Sequence, residues 1–136
     1  MNQIESQMQQ DAMKEIEHIF KMRYYDHTVN LVDKNKKETQ YSVIFHCPNG
    51  GQRNVREGAK FKRMGVKSGI PDLIVPINNG KHNQLWIEIK QGKGSQEDNQ
   101  QEWERVCPIL NIRYEICRTK NEIVDLVLDY MEGINQ

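Results

Sequence analysis

The sequence lacks the features of several large protein classes. Its three cysteines, Cys47, Cys107 and Cys117, lie far apart and form no Cys-x-x-Cys pair, so neither a disulfide framework nor a zinc ribbon is expected. No apolar run approaches the roughly 18 residues of a membrane span, and the first residues do not form a signal peptide. The 19 basic residues are balanced by 19 acidic ones, which argues against a protein that only coats nucleic acid. We therefore expect a protein of the reducing cytoplasm.

The length predicts one small domain over residues 1–136. A chain of 136 residues is within the usual range of a single domain. Only 37% of the residues are hydrophobic and 28% are charged, so the buried core must be small. A core of that size leaves room for an apolar face that a second copy of the chain covers.

Apolar periodicity and turn residues predict a compact α/β domain around a mixed sheet. A first helix is indicated by apolar residues at three- and four-residue steps, and residues 26–40 are expected to form a loop or hairpin tip. A capping box, Thr119-x-x-Glu122, predicts the start of a last helix. The first-helix stripe is Ile4, Met8, Ala12, Ile16, Ile19 and Phe20. The strands are predicted at 41–46, 71–77, 85–90 and 113–117, with another helix at 98–106.

The third predicted strand carries an acid and an amine on one face. Because successive side chains of a strand alternate, Glu88 and Lys90 share a face with Trp86, which we expect to pack under the first helix. Ile87 and Ile89 point to the opposite face. On its own, such an acid–amine pair is most often a surface ion pair that contributes little to stability.

A second acid, Asp72, leads into the apolar run of the second predicted strand. A buried carboxylate costs solvation free energy unless something compensates it, and Gly69 just before it allows an unusual backbone angle or close approach by a ligand. If a hairpin turns at residues 78–80, Asp72 lies beside Glu88. Two adjacent carboxylates are explained by a divalent cation such as Mg²⁺ between them. Lys90 could then orient or deprotonate the attacking water.

Basic residues cluster immediately before Asp72. The segment 53–67 holds six basic residues and one acid, whereas the segment 97–136 holds nine acids and four bases. A basic segment beside carboxylates suits a phosphodiester substrate, because phosphate contacts supply most non-specific affinity. The alternative is a solvated loop. The predicted DNA-contacting residues are Arg53, Arg56, Lys60, Lys62, Arg63 and Lys67.

These residues together resemble the virus-type replication-repair nuclease (VRR-NUC) branch of the PD-(D/E)XK nuclease superfamily. The resemblance rests on Gly69-Ile-Pro-Asp72, then Glu88-Ile-Lys90, then Gln100 and Trp103, in that order. It covers nearly the whole chain. It implies a restriction-endonuclease-like α/β fold, in which helices flank a mixed central β-sheet, and a nuclease that uses Mg²⁺ or Mn²⁺.

The resemblance also implies roles for individual residues. Asp72 and Glu88 would bind the metal, with the Ile89 carbonyl as a further ligand. Lys90 would be the catalytic lysine, and Gln100 would be an accessory active-site residue.

The first helix offers three candidate acids for the same metal. Members of the family carry a glutamate early in this helix and a glutamine four residues later, and Glu5 and Gln9 fit that spacing. Glu15 and Glu17 are alternatives, although both lie where a solvated helix face is expected. We favour Glu5 as the metal ligand.

The resemblance implies a DNA endonuclease that acts on branched DNA. Small stand-alone relatives, often from phage, look like Holliday junction resolvases and are expected to act as dimers, so we expect a homodimer in a bacterial or phage-infected cell. The alternatives are a monomeric flap nuclease, a toxin-like or restriction nuclease, and a nucleic-acid-binding module that does not cut. We expect the dimer face on the first helix, because it has a surplus of apolar residues. Those residues are Met8, Met13, Ile16, Ile19, Phe20 and Met22.

Overall fold

The structure, a computed structural model, describes residues 1–48 and 55–135. Within these residues no helix is long and apolar enough to span a membrane. The helices are α1 (Gln3–Arg23), α2 (Val55–Arg63), α3 (Asp98–Val106) and α4 (Lys120–Glu132). The strands are β1 (Thr28–Val32), β2 (Glu38–Ser42), β3 (Phe45–His46), β4 (Leu73–Val75), β5 (Gln84–Ile89) and β6 (Ile112–Cys117).

A mixed sheet with strand order β3-β4-β5-β6 is the centre of the domain. The strand pairs β3–β4 and β4–β5 are antiparallel, whereas β5 and β6 are parallel. One face of the sheet packs on α1 and α4 to form the core, and α3 lies over the other face. The expectation of a mixed sheet flanked by helices is confirmed.

Local sequence explains how the two core helices begin and which side they bury. The Asn2 side chain accepts a hydrogen bond from the Glu5 amide, and the Glu5 side chain accepts one from the Asn2 amide. The predicted capping box at Thr119 starts α4 in the same way, satisfying amides that would otherwise lack partners. Ala12 and Ile16 of α1, one helical turn apart, are fully buried.

Two predictions about the first half of the chain need correction. Residues 26–40 contain a hairpin tip, one of the two expected alternatives, but they also contain β1 and most of β2, an antiparallel pair that the sequence did not predict. The Asp33 side chain closes its tip by accepting hydrogen bonds from the amides of Asn35 and Lys37. The strand predicted at 41–46 is interrupted at residues 43–44, because β2 pairs with β1 while β3 pairs with β4.

The positions expected for Trp86 and for the apolar residues of α1 also need correction. Trp86 does not pack under the first helix: its ring lies 5.9 Å from that of Trp103 on α3, on the opposite face of the sheet. Most of the apolar residues of α1 that were expected on a dimer face are at least half-buried within the domain. Ile16 and Phe20 are fully buried, and of the residues expected to form a dimer face only Met22 is strongly exposed.

Candidate active site

The β4–β5 hairpin brings the two predicted carboxylates together. Leu73 pairs with Ile87, and the same register continued by one residue places Asp72 opposite Glu88. The Ile89 amide donates a 2.7 Å hydrogen bond to Asp72 Oδ2, which holds the aspartate at that position. Asp72 is 7% exposed and Glu88 is 3% exposed, so both acids lie in a largely dehydrated environment.

Burial controls the electrostatics of this pair. It raises the pKa of Glu88 to about 8, and the neighbouring charge of Asp72 adds to the rise. Burial also raises the pKa of Asp72, opposed chiefly by the hydrogen bond from Ile89. The Lys90 amine, 3.8 Å from Glu88 Oε1, favours the ionised form of Glu88. Without a cation, the pair therefore tends to hold a proton at neutral pH.

Gln100 fixes one oxygen of Glu88 and leaves the other available. Its Nε2 donates a 2.8 Å hydrogen bond to Glu88 Oε1, while its own Oε1 accepts from the Glu97 amide at the start of α3. Glu88 Oε2 is buried and receives no hydrogen bond from a donor group of the described residues, and the Asp72 carboxyl is the group with which Glu88 can share a proton. A lone buried oxygen next to a second carboxylate fits a site for a divalent cation, which prefers oxygen ligands.

Glu5 lies at the edge of the same cleft and supports the strand that carries Lys90. Its Oε2 accepts a 2.8 Å hydrogen bond from the Gln91 amide, and its Oε1 accepts from Asn2. Within residues 1–48 and 55–135, no group of three or more His, Cys, Asp and Glu side chains is arranged to hold a metal ion. The structure thus brings Asp72 and Glu88 together but leaves Glu5 at the rim.

The two alternative acids of α1 lie elsewhere. The Glu15 carboxylate forms an ion pair with Lys120 at 2.9 Å. The Glu17 carboxylate accepts hydrogen bonds from both the amide and the hydroxyl of Ser42, which ties the β1–β2 hairpin to α1. Of the three candidates, only Glu5 lines the cleft with Asp72 and Glu88.

The cleft has a volume of about 380 Å³ and two chemically different sides. Asp72, Glu88, Lys90 and Gln100 contribute to one side, together with Ile89. The other side is formed by α2 and the segment that follows it, including Phe61 and two lysines. Buried acids, amines and apolar side chains thus meet around one space.

Comparison with known proteins identifies the family. The sequence profile of the VRR-NUC domain matches residues 4–121. This chain belongs to the VRR-NUC domain family. A solved structure described as a VRR_NUC domain protein is 25% identical, with a TM-score of 0.65, and the match covers 95% of this chain and 88% of that one. A comparison with curated proteins gave no match.

Membership of the VRR-NUC family confirms two expectations. It makes this chain a member of a nuclease family, with DNA as the class of substrate. Together with the mixed, helix-flanked sheet, the structural match confirms the expected PD-(D/E)XK-like fold.

The basic segment of this VRR-NUC domain is mainly a helix and not a loop. The exposed residues Arg56, Lys60, Lys62 and Arg63 lie on α2, and Lys67 follows it. Lys62 and Lys67 line the cleft. Arg53 lies outside the described residues. The structure therefore places five of the predicted DNA-contacting residues next to the carboxylates or on the helix beside them.

Gly69 ties the end of this basic segment to α3. Its φ of +83° is in the left-handed region, and an added Cβ would lie 2.6 Å from the backbone of Asn99. The unusual backbone angle expected of Gly69 is confirmed, and the close neighbour is the backbone of Asn99; both require glycine. The adjacent Ser68 carbonyl accepts a hydrogen bond from Trp103 Nε1. This anchor fixes the path of the chain just before Asp72.

Two further side chains support the site in the VRR-NUC domain through backbone atoms. Arg118 Nη1 donates hydrogen bonds to the carbonyls of Gly92 and Gly94, in the loop after Lys90. Nδ1 of His46 lies 2.8 Å from the Asp72 carbonyl. Sequence analysis missed the role of Arg118. Every residue has a backbone carbonyl, so the residue types at positions 92 and 94 do not indicate that an arginine binds there.

Proposed function

We propose that this VRR-NUC domain is a metal-dependent endonuclease that cuts branched DNA, with the four-way (Holliday) junction as its preferred substrate. The observation that carries the proposal is the buried Asp72–Glu88 pair, in which Glu88 Oε2 receives no hydrogen bond from a donor group of the described residues. A domain that only binds nucleic acid has no use for such a pair, because carboxylates repel phosphate.

Mg²⁺ or Mn²⁺ would be held by Asp72, Glu88 and the Ile89 carbonyl, with Glu5 contributing from the rim. Carboxylates and a carbonyl are the hard oxygen ligands that these cations prefer. When bound, the ion would polarise the scissile phosphate and neutralise charge that develops on it.

The remaining steps use side chains of the chain itself. The Lys90 amine, 3.8 Å from Glu88 Oε1, would orient the attacking water and offset phosphate charge. Gln100 holds Glu88 in place through the hydrogen bond to Oε1. Cleavage of this type would leave a 5′-phosphate and a 3′-hydroxyl, as the superfamily precedent implies.

The cations of α2 would hold the DNA backbone in register with the acids. The side chains of Arg56, Lys60, Lys62 and Arg63 are exposed and available to phosphates. Lys62 also lines the cleft, which leads to the carboxylates. Binding through α2 should be independent of sequence and should weaken with salt.

Resolution of a four-way junction requires two cuts, which a homodimer with two symmetry-related sites would supply. Because α1 uses its apolar residues in the core, the contact between copies would come from another surface. The β1–β2 hairpin and β3 expose Val29, Leu31, Tyr41 and Phe45, and these apolar side chains support a dimer contact through the hairpin. We place the enzyme in the cytoplasm of a bacterial or phage-infected cell, as its three free cysteines support.

The alternative function is a monomeric flap nuclease. It is favoured by one observation, the loss of the apolar α1 face on which the expected dimer rested. A flap needs a single cut, so one copy with one cleft is sufficient.

A cleavage assay separates these functions. Labelled linear, flap and four-way DNA would be incubated with Mg²⁺ or Mn²⁺ and either wild-type protein or the Asp72→Asn variant. Glu104→Gln, which removes an exposed carboxylate of α3, is the matched control. Paired cuts in the four-way junction that disappear in Asp72→Asn support the proposal. Flap cutting alone supports the alternative, and binding without cutting by the wild type refutes both.

A further inference from the structure

The turn directly after β5 is held by more hydrogen bonds than its packing explains. Residues 91–94 are all exposed, so they add nothing buried to the core. The Gly94 amide donates a 3.0 Å hydrogen bond to the Gln91 carbonyl, and Gly92 has a φ of +55°, which glycine adopts readily in such turns. Exposed connections are usually mobile. Bonds that fix this one from outside therefore point to a use for its geometry.

Three residues from distant parts of the chain hold the 91–94 turn in place. The Gln91 amide donates a 2.8 Å hydrogen bond to Glu5 Oε2, and the Gln91 side chain accepts one from Asn2. Arg118 Nη1 donates to the carbonyls of both glycines, at 2.7 Å and 2.9 Å. The start of α1 and the residue after β6 thus both fix the turn.

The bonds from Arg118 do more than place Lys90. The Lys90 amide already donates a 3.0 Å hydrogen bond to the Cys117 carbonyl of β6, so the sheet holds its backbone. Arg118 acts beyond that point, on the carbonyls that precede and follow the central residues of the turn. It therefore fixes the backbone of Lys93, whose side chain is exposed.

Lys93 lies close to the position expected for the scissile phosphate. Three residues of chain span at most about 11 Å, so the Cα atom of Lys93 can lie no further than that from the Cα atom of Lys90. Successive phosphates of one DNA strand are about 3.4 Å apart along the helix axis. A lysine at this distance can therefore contact a phosphate within a few nucleotides of the cut.

The charges around the carboxylates favour a DNA path towards this turn. The segment 97–106, which includes α3, has four acids and one base, so it would repel the DNA backbone. The basic segment 56–67 enters the sheet through β4, whereas the turn is bound by Arg118, directly after β6. Strands β4 and β6 are the two neighbours of β5. A DNA strand cut at the carboxylates could therefore meet cations on both sides of the cut.

We propose, on the basis of the nuclease function above, that the 91–94 turn is a second contact with the DNA backbone. The Lys93 amine binds a phosphate on the other side of the scissile phosphate from those bound by α2. Arg118 is a positioning residue, because a turn that is already fixed loses less conformational entropy when Lys93 binds. The substrate is therefore a strand that continues on both sides of the cut, as at a branch point.

Removing the Lys93 amine tests this contact against a matched lysine. Lys81 is exposed and lies in the loop before β5, at the opposite end of the strand from Lys90. Surface substitutions of this kind cost little stability, so Lys93→Ala and Lys81→Ala should both fold. Fluorescently labelled four-way DNA would be titrated with each variant in EDTA at several salt concentrations, and binding would be followed by anisotropy.

We expect Lys93→Ala to reduce the slope of log affinity against log salt concentration by about 0.9, one phosphate contact. At about 0.1 M salt this corresponds to roughly eightfold weaker binding, and the difference should vanish towards 1 M salt. Lys81→Ala should match the wild type. Binding by Lys93→Ala with the affinity and slope of Lys81→Ala would overturn the contact.

A double-mutant cycle tests the role of Arg118. Arg118→Ala should weaken DNA binding by the otherwise wild-type protein and should have no further effect in Lys93→Ala, because both residues act on one contact. Equal losses in the two backgrounds would show that the guanidinium itself binds DNA, and no loss in either would show that the turn needs no positioning. Both results would overturn the role of Arg118 as a positioning residue.

The same samples distinguish this inference from the nuclease function. If the wild type cuts four-way DNA with Mg²⁺ but Lys93→Ala binds like Lys81→Ala, the contact at the turn is refuted and the nuclease stands. If binding depends on Lys93 as expected but the wild type cuts no DNA with Mg²⁺ or Mn²⁺, the nuclease is refuted and the turn remains a DNA contact.

Discussion

Replacing Glu88 with glutamine should stabilise the metal-free protein while abolishing cleavage. Burial and the charge of Asp72 raise the pKa of Glu88 from its ordinary value of 4.5 to about 8. Between these pH values the folded protein retains a proton that the unfolded chain has released, so stability falls as the pH rises. Glutamine keeps the shape of the side chain and removes the ionisation.

The magnitude of this effect follows from the two pKa values of Glu88. Each unit of difference corresponds to about 1.4 kcal/mol, and at pH 7 the accumulated loss in the wild type is about 3 kcal/mol. This is an upper limit, because water that enters the cleft reduces the cost of the charge. The ion pair with Lys90, 3.8 Å long, is also lost in the variant, which lowers the gain further. The bond from Gln100 to Oε1 can be kept.

Urea unfolding in EDTA from about pH 5 to about pH 8 measures this difference, because the charge of Glu88 develops over that range. The free energy of unfolding of the variant should increasingly exceed that of the wild type as the pH rises. Near pH 5 the two values should converge. Glu104→Gln, on the exposed surface of α3, should run parallel to the wild type. Mg²⁺ should stabilise the wild type and not Glu88→Gln. If the stability of Glu88→Gln changed with pH in the same way as that of the wild type, the raised pKa assigned to buried Glu88 would be refuted.

Four further outcomes are expected. Replacing both Lys60 and Arg63 with alanine should weaken binding to all DNA sequences. It should also reduce the slope of log affinity against log salt concentration by roughly two, one per lost phosphate contact. The same change at Lys34 and Lys37, in the β1–β2 tip, should leave the affinity and the slope unchanged. Arg118→Ala should speed hydrogen exchange in the loop after β5, since two hydrogen bonds to its carbonyls are lost. Unaltered exchange would show that these two bonds do not hold the loop. EDTA should abolish cleavage, and Mg²⁺ or Mn²⁺ should restore it. Light scattering should give twice 16.0 kDa for a homodimer, whereas a single-chain mass would exclude it.

The β4–β5 hairpin, which carries the site, could be predicted from the sequence because neighbouring residues specify both its strands and its turn. Alternation through residues 85–90 defines two faces, and the Asn78-Asn79-Gly80 turn fixes where the chain reverses. Gly80 indeed has a positive φ of 93°. The turn alone does not fix the register: counting from a centre at Asn79 would place Asp72 opposite Trp86, whereas the observed pairing of Leu73 with Ile87 places it opposite Glu88.

Other elements could not be predicted, because their residues are mostly exposed. Leu31 and Val32 of β1 face solvent, so their alternation does not indicate a core face. None of the residues 56–63 of α2 is buried, and a helix of 9 residues with so few large apolar side chains shows too little of the apolar pattern by which helices are recognised. The bond from Gln91 to Glu5 joins residues 86 positions apart, which no local pattern encodes.

The exposed character of α2 has a consequence for how such a domain can diversify. Because the side chains of residues 56–63 contribute nothing buried to the core, most substitutions there should cost little stability. The carboxylates lie instead on β5 and directly before β4, two strands that the core holds in place. Mutation can therefore change which DNA shapes reach the acids while the chemistry and the fold stay constant. A library randomised along the outer face of α2 should yield many folded proteins with altered substrate preference, whereas one randomised along β5 should yield few folded proteins of any kind.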